Sequence, residues 1–166
     1  DYTDTDGDGN FDNGEQTERK IDDQSSSIQQ NFANWFSYYR SREFVAKAAY
    51  GQLIAGASNV RMGLVTLHNN NSVNIAIADM NDDPAVGNKK ALLDKLYRIH
   101  SNNGTPLRNS LKKAGLYLEC ASGGYFSSCP ASSIADGGSC QQNFAVLMTD
   151  GFYNGGSPSI PNADGD

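Results

Sequence analysis

Positive charge is scarce in this chain of 166 residues: 13 Lys and Arg stand against 19 Asp and Glu, for a formal net charge of -6. A nucleic-acid surface needs clustered Lys and Arg, so the balance argues against that class of partner. No apolar run approaches the roughly 20 residues that a membrane helix needs, and no membrane span is expected. Histidine is also rare. His68 and His100 are far apart and neither has a Cys or a second His nearby, which fits surface or internally satisfied side chains. The three cysteines, Cys120, Cys129 and Cys140, share one Gly/Ser-rich stretch. They show neither C-x2-C pairs nor close His partners, the spacing a zinc site wants. A disulfide between two of them would suit an oxidising compartment and leave one thiol over; spacing alone does not choose the pair. The G-x-S-x-G, H-E-x-x-H and P-loop motifs are missing, and no carboxylate or His is visibly placed to share proton work with another. The expectation is a protein that is not an enzyme. No secretory leader and no internal repeat are seen, and the chain opens in an acidic loop, so it is read as a mature or excised piece.

What is present is the material of one ordinary domain, 38% hydrophobic and large enough for a core. Residues 1–24 are polar, acidic and Gly-rich. Ser26 and Gln29 then form an S-x-x-Q capping box. Ile28, Phe32, Trp35, Tyr39, Ala46, Ala49 and Leu53 follow at helical spacing, which predicts one long amphipathic helix ending near Gly56. Trp35, Phe36, Tyr38 and Tyr39 are expected in the core, as such clusters on amphipathic helices commonly are. Two strands, 59–67 and 72–80, flank an Asn-rich hairpin turn. A second helix is predicted over 88–101 and a third from Thr105, with Pro106 at its first position and Leu107, Leu111, Ala114 and Leu118 on one face. Residues 120–142 read as a long loop. The continuous apolar run "NFAVLMT", 143–149, reads as a fully buried strand. Helices interleaved with such a strand predict a helix-flanked α/β sheet.

The first motif with chemistry in it is "DTDGDGNFDNGE". Asp4, Asp6 and Asp8 occupy positions 1, 3 and 5, Gly9 position 6, Asn10 position 7, Asp12 position 9 and Glu15 position 12. This is the D-x-D-x-D-G spacing, ending in Glu, that wraps Ca2+ in hard oxygens. Position 6 must bend sharply, which Gly permits, and position 7 contributes its carbonyl. Phe11 can anchor the loop to apolar surface. No helix precedes Asp4, so an isolated calcium loop inserted in another domain is expected rather than an EF-hand pair. Without the ion, five carboxylates repel and the loop should loosen.

The second is a pair of loop ends. Asp150 follows the predicted buried strand, where ligands bind in open α/β sheets. Thr105 opens a helix. Taken singly, "GTPL" is a capped helix start and "TDG" a turn. The acids Asp164 and Asp166 are either the start of a second cation loop or an acidic tail.

"GTPL" opening a helix and a strand ending "LMTDG" together resemble the von Willebrand factor A domain, whose metal-ion-dependent adhesion site combines D-x-S-x-S with a Thr and an Asp from later loops. The resemblance makes Thr105 and Asp150 candidate ligands of Mg2+ or Mn2+, with an open position for a partner's carboxylate. The D-x-S-x-S element is not in the chain; "DDQSSS" lacks its spacing. The strings "QNFANWFSYYRSREFVAKAA", "GTPLRNSLKKAGLYLE", "SCQQNFAVLMTDGFYNG" and "PNADGD" are similar to the N-terminal A-type domain of the PilY/PilC family of type IV pilus tip-associated adhesin and biogenesis proteins. The similarity spans roughly residues 29–166. It implies a von Willebrand factor A-like fold, incomplete in this chain and starting near residue 25, with the 1–24 calcium loop as an insertion. It also implies a bacterial cell-surface or pilus-tip location, and pilins, minor pilins and a host or surface receptor as partners. Adhesion and pilus biogenesis are the implied functions; a calcium-stabilised structural surface subunit with no ligand at Thr105 and Asp150 is the alternative.

Overall fold

The computed structural model describes residues 3–10, 12–69, 72–101, 104–149 and 151–160. The chain divides into two compact units, Asp1–Val45 and Ala46–Asp166.

In the first unit the acidic loop leads through a 3-10 turn, Ile21–Asp23, into helix α1, Ser26–Tyr38. The predicted capping box does not form. Ser25 is the N-cap, and the Gln29 side chain reaches back to donate to the carbonyls of Asp22 and Gln24. The single long helix is also corrected, because α1 stops at Tyr38 and helix α2 begins at Arg42. Ser41 supplies the break: its hydroxyl accepts the Phe44 amide at 3.2 Å, which caps α2 locally. The apolar stripe of α1 is exposed rather than core, with the Phe32 ring against both Trp35 and Phe36 and the Arg40 guanidinium 4.1 Å from the Phe36 centroid.

The second unit is built on a hairpin. Strands β1, Arg61–Leu64, and β2, Ile75–Asp79, pair antiparallel as expected, Arg61 opposite Asp79 and Met62 opposite Ala78. A bulge falls at Gly63, where a Cβ would stand 2.8 Å from the Ile75 carbonyl oxygen, so the position requires Gly. Helix α3, Gly87–Tyr97, covers the hairpin. Ile54 of α2 and Leu92 and Leu96 of α3 form the buried centre, with Tyr50, Met62, Leu64, Ile75 and Met80 around it. Polar groups there find partners: the amide of Asn88 donates to the carbonyls of Met62 and Ala78, and the buried Lys89 ammonium to those of Ala55 and Asp82.

Helix α4, Leu107–Leu118, starts two residues later than predicted, with Pro106 as N-cap. Its far end closes in a Schellman arrangement. The Cys120 amide bonds the Tyr117 carbonyl and the Ala121 amide bonds the Leu116 carbonyl, with Cys120 left-handed at φ 59°. A disulfide joins Cys120 to Cys129 and leaves Cys140 exposed and free. Closing so short a loop stabilises the fold by roughly 2–3 kcal/mol. The stretch after α4 is not a loose excursion, since Tyr125 and Pro130 are buried and the Tyr125 hydroxyl donates to the Thr66 carbonyl.

The helix-flanked, mixed α/β character therefore stands, on a sheet of two antiparallel strands. The buried strand at 143–149 does not. A central strand needs a pairing strand alongside, and among the described residues none lies there. The segment has no regular structure, and Phe144 and Val146 are 79% and 72% exposed.

Candidate metal centre

The acidic loop folds around its own acids. Gly7 and Gly9 are left-handed, with φ of 76° and 78°, and these bends let the backbone amides turn inward. The Asp4 carboxylate accepts both: the Gly7 amide at 2.6 Å and the Gly9 amide at 3.0 Å. Asp6 accepts the Asp8 amide, and Asp8 accepts the backbone and side-chain amides of Asn10 at 2.7 and 2.8 Å. The result is that one carboxylate oxygen from each of Asp4, Asp6 and Asp8 lies within 4.8 Å of the others. No Lys or Arg pairs with these three among the described residues. Like charges at about 4 Å repel by about 1 kcal/mol each in water, and by more where solvent is displaced. A hard divalent cation reverses that sign, and hard oxygens at alternate positions are the donor set that Ca2+ takes.

Glu15 behaves differently. It is buried, at 8% relative exposure, and its carboxylate is held by the loop itself. The Thr5 amide donates to it at 2.6 Å, the Thr5 hydroxyl at 2.9 Å and the Asp12 amide at 3.2 Å. The Thr3 amide closes the loop on the Glu15 carbonyl at 3.1 Å. Asp12 and Glu15 stand outside the three-carboxylate group. The Thr5 amide, then its hydroxyl, hold the Glu15 carboxyl below the usual range. The Asn10 side chain, then its backbone, do the same for Asp8. The motif spacing locates the acids but not Thr5, whose role depends on closure of the loop.

The second predicted pair is described only at Thr105; Asp150 lies outside the described residues, as do Phe11, Asp164 and Asp166. Thr105 is half-buried ahead of α4. Its carbonyl accepts the Leu107 amide at 2.8 Å and the Asn154 amide at 2.9 Å. The second bond brings the chain that follows Asp150 to the Thr105 loop. Arg108, the second residue of α4, stacks on the Tyr153 ring at 4.3 Å and donates to its hydroxyl. His68 meets the Gly104 carbonyl from the hairpin turn, an internally satisfied and exposed histidine. Arg108, Tyr153 and Asn154 carry no motif, and their pairing is invisible without the fold.

No family model matches the chain, and no solved structure matches it. Curated relatives do. The chain is 29% identical over 150 residues to the type IV pilus biogenesis factor PilY1 of Pseudomonas aeruginosa strain PAO1, a match covering 84% of this chain and 13% of that protein. The protein of the same name from strain PAK is 29% identical over 156 residues, covering 87% of this chain and 13% of the relative. The chain thus spans about an eighth of the length of these relatives. The resemblance to PilY/PilC-type proteins read from the sequence is shown by these matches.

Proposed function

We propose that this chain, similar over most of its length to type IV pilus biogenesis factors, is a calcium-ordered module that serves pilus biogenesis and surface attachment. The observation that carries the reading is the convergence of Asp4, Asp6 and Asp8 within 4.8 Å on a loop bent at two left-handed glycines. In this reading Asp4, Asp6, Asp8, Asn10, Asp12 and Glu15 hold the ion and residues 1–24 form an insertion in a von Willebrand factor A-like domain. Bound Ca2+ supplies the positive charge that the clustered carboxylates lack. The chain's own part is to present the oxygens: Gly7 and Gly9 aim the Asp4 carboxylate, Asn10 orients Asp8, and Thr5 fixes Glu15 at the loop's end. The module has no catalytic role. It sits at the bacterial surface or pilus tip and works on pilins, minor pilins and a receptor.

A second reading is favoured by the Asn154–Thr105 bond. It seats the chain following Asp150 beside Thr105, as a Mg2+ or Mn2+ adhesion-type site would require. The alternative, a calcium-stabilised structural subunit, needs only the first loop.

The test uses cells whose own copy of the protein carries Asp4→Ala, Asp6→Ala and Asp8→Ala together. The expected result is fewer surface pili and weaker attachment at constant protein level, mimicked in the parent by calcium chelation. Pili and attachment at parental level in the triple variant would overturn the reading. Asp150→Ala separates the second site, because it should weaken attachment and Mn2+ binding while leaving calcium binding intact.

A further inference from the structure

Residues 151–160 lie along α4 without regular structure, and the way they are held is unusual. The Asn154 amide bonds the Thr105 carbonyl at 2.9 Å. Tyr153 lies on the Arg108 guanidinium, 4.3 Å from charge to ring centroid, and accepts a hydrogen bond from it. Lys112, a turn further along α4, donates to the Ser159 carbonyl at 2.9 Å. All these contacts are polar or cation–π. None of the ten residues is buried; Phe152 is 92% exposed. A segment fastened by burial cannot leave without exposing a core. This one can leave by exchanging a few surface bonds for water, each a small net contribution. Gly155 and Gly156 sit beside the latch, and Gly155 is left-handed at φ 93°. Together they provide a hinge that a bulkier residue would stiffen.

We propose that residues 151–160 are a detachable strap across the first turns of α4, with Tyr153 on Arg108 as its latch. Closed, the strap holds the chain following residue 150 against the Thr105 loop. Open, it separates the two while the hairpin core stays folded. Gly104 lies against the outer atoms of the Asn154 side chain, so the strap also touches the loop ahead of α4. The strap does not rest on metal binding at Thr105 or in the acidic loop.

The test is amide hydrogen exchange on the intact protein in its parental form, as Tyr153→Ala and as Arg108→Ala. The parental Asn154 amide should be protected relative to an unstructured peptide. Both variants should raise its exchange about tenfold, the effect of losing a stacked cation and a hydrogen bond. Amides of α3 around Leu92 and Leu96 should keep parental rates. Tyr153→Phe, which keeps the ring and loses the hydroxyl, should fall between. An unprotected parental Asn154 would overturn the strap. So would unchanged exchange in both variants, or an equal rise in α3, which would mean that the segment opens only with the whole unit.

Discussion

The phenol oxygen of Tyr117 accepts the backbone amide of Ile77 at 3.0 Å, which fastens α4 to β2. Tyr117 is 6% exposed, so that amide has little access to water. A two-stranded sheet leaves such edge groups unpaired, and here a side chain from a helix takes the place of a third strand. Tyr117→Phe keeps the ring contact with Phe126 but leaves the amide unsatisfied. The expected loss is about 1–3 kcal/mol of stability, read as a lowered denaturation midpoint with an unchanged slope. An unchanged midpoint would mean that the bond contributes nothing.

Gly63 is the tightest point of the hairpin. Added side-chain volume there meets backbone, the Ile75 oxygen at 2.8 Å and the Ile77 nitrogen at 2.9 Å, and backbone cannot swing aside. Gly63→Ala should destabilise the second unit by about 1–3 kcal/mol and raise exchange across both strands. Parental stability would show that the bulge relaxes freely.

Much of this framework is legible in the residues. The hairpin, α3 and α4 follow from apolar periodicity and the Asn-rich turn, and the acidic loop follows from spacing alone. What escapes has physical causes. The apolar spacing of α1 runs on unbroken through Tyr39, so the break depends on one hydroxyl, Ser41, in a charged stretch that looks helical. The run 143–149 is apolar enough for a core strand, but burial also needs neighbours that no local pattern supplies. Arg108 and Tyr153 are 45 residues apart and ordinary in composition. In the acidic loop the convergence of Asp4, Asp6 and Asp8 is what the motif spacing predicts. The engagement of Glu15 by Thr5 is not, because it depends on how the loop closes.

Acid should open the loop. The carboxyl of Glu15 is held below its ordinary value of 4.5 by Thr5 bonds that close the loop, and that of Asp8 below 3.8 by bonds from Asn10 in the folded loop. The open loop therefore binds protons more readily than the closed one. The stabilisation is fully present above those ordinary values and is lost as pH falls through the lowered ones. In chelator-treated protein, the Thr5 and Asn10 amides should lose exchange protection below about pH 4. NMR titration of Glu15 should give a pKa under its ordinary value; one at or above it would contradict the hydrogen bonding described.

Calcium titration by calorimetry of the intact protein, beside the Asp4→Ala, Asp6→Ala, Asp8→Ala variant, decides whether the acidic loop holds an ion. The variant should bind one Ca2+ fewer than the parent, and Ca2+ should protect the Thr5 and Asn10 amides in the parent alone. Equal stoichiometry in the two proteins, with no calcium-dependent protection of those amides, would contradict calcium binding in that loop.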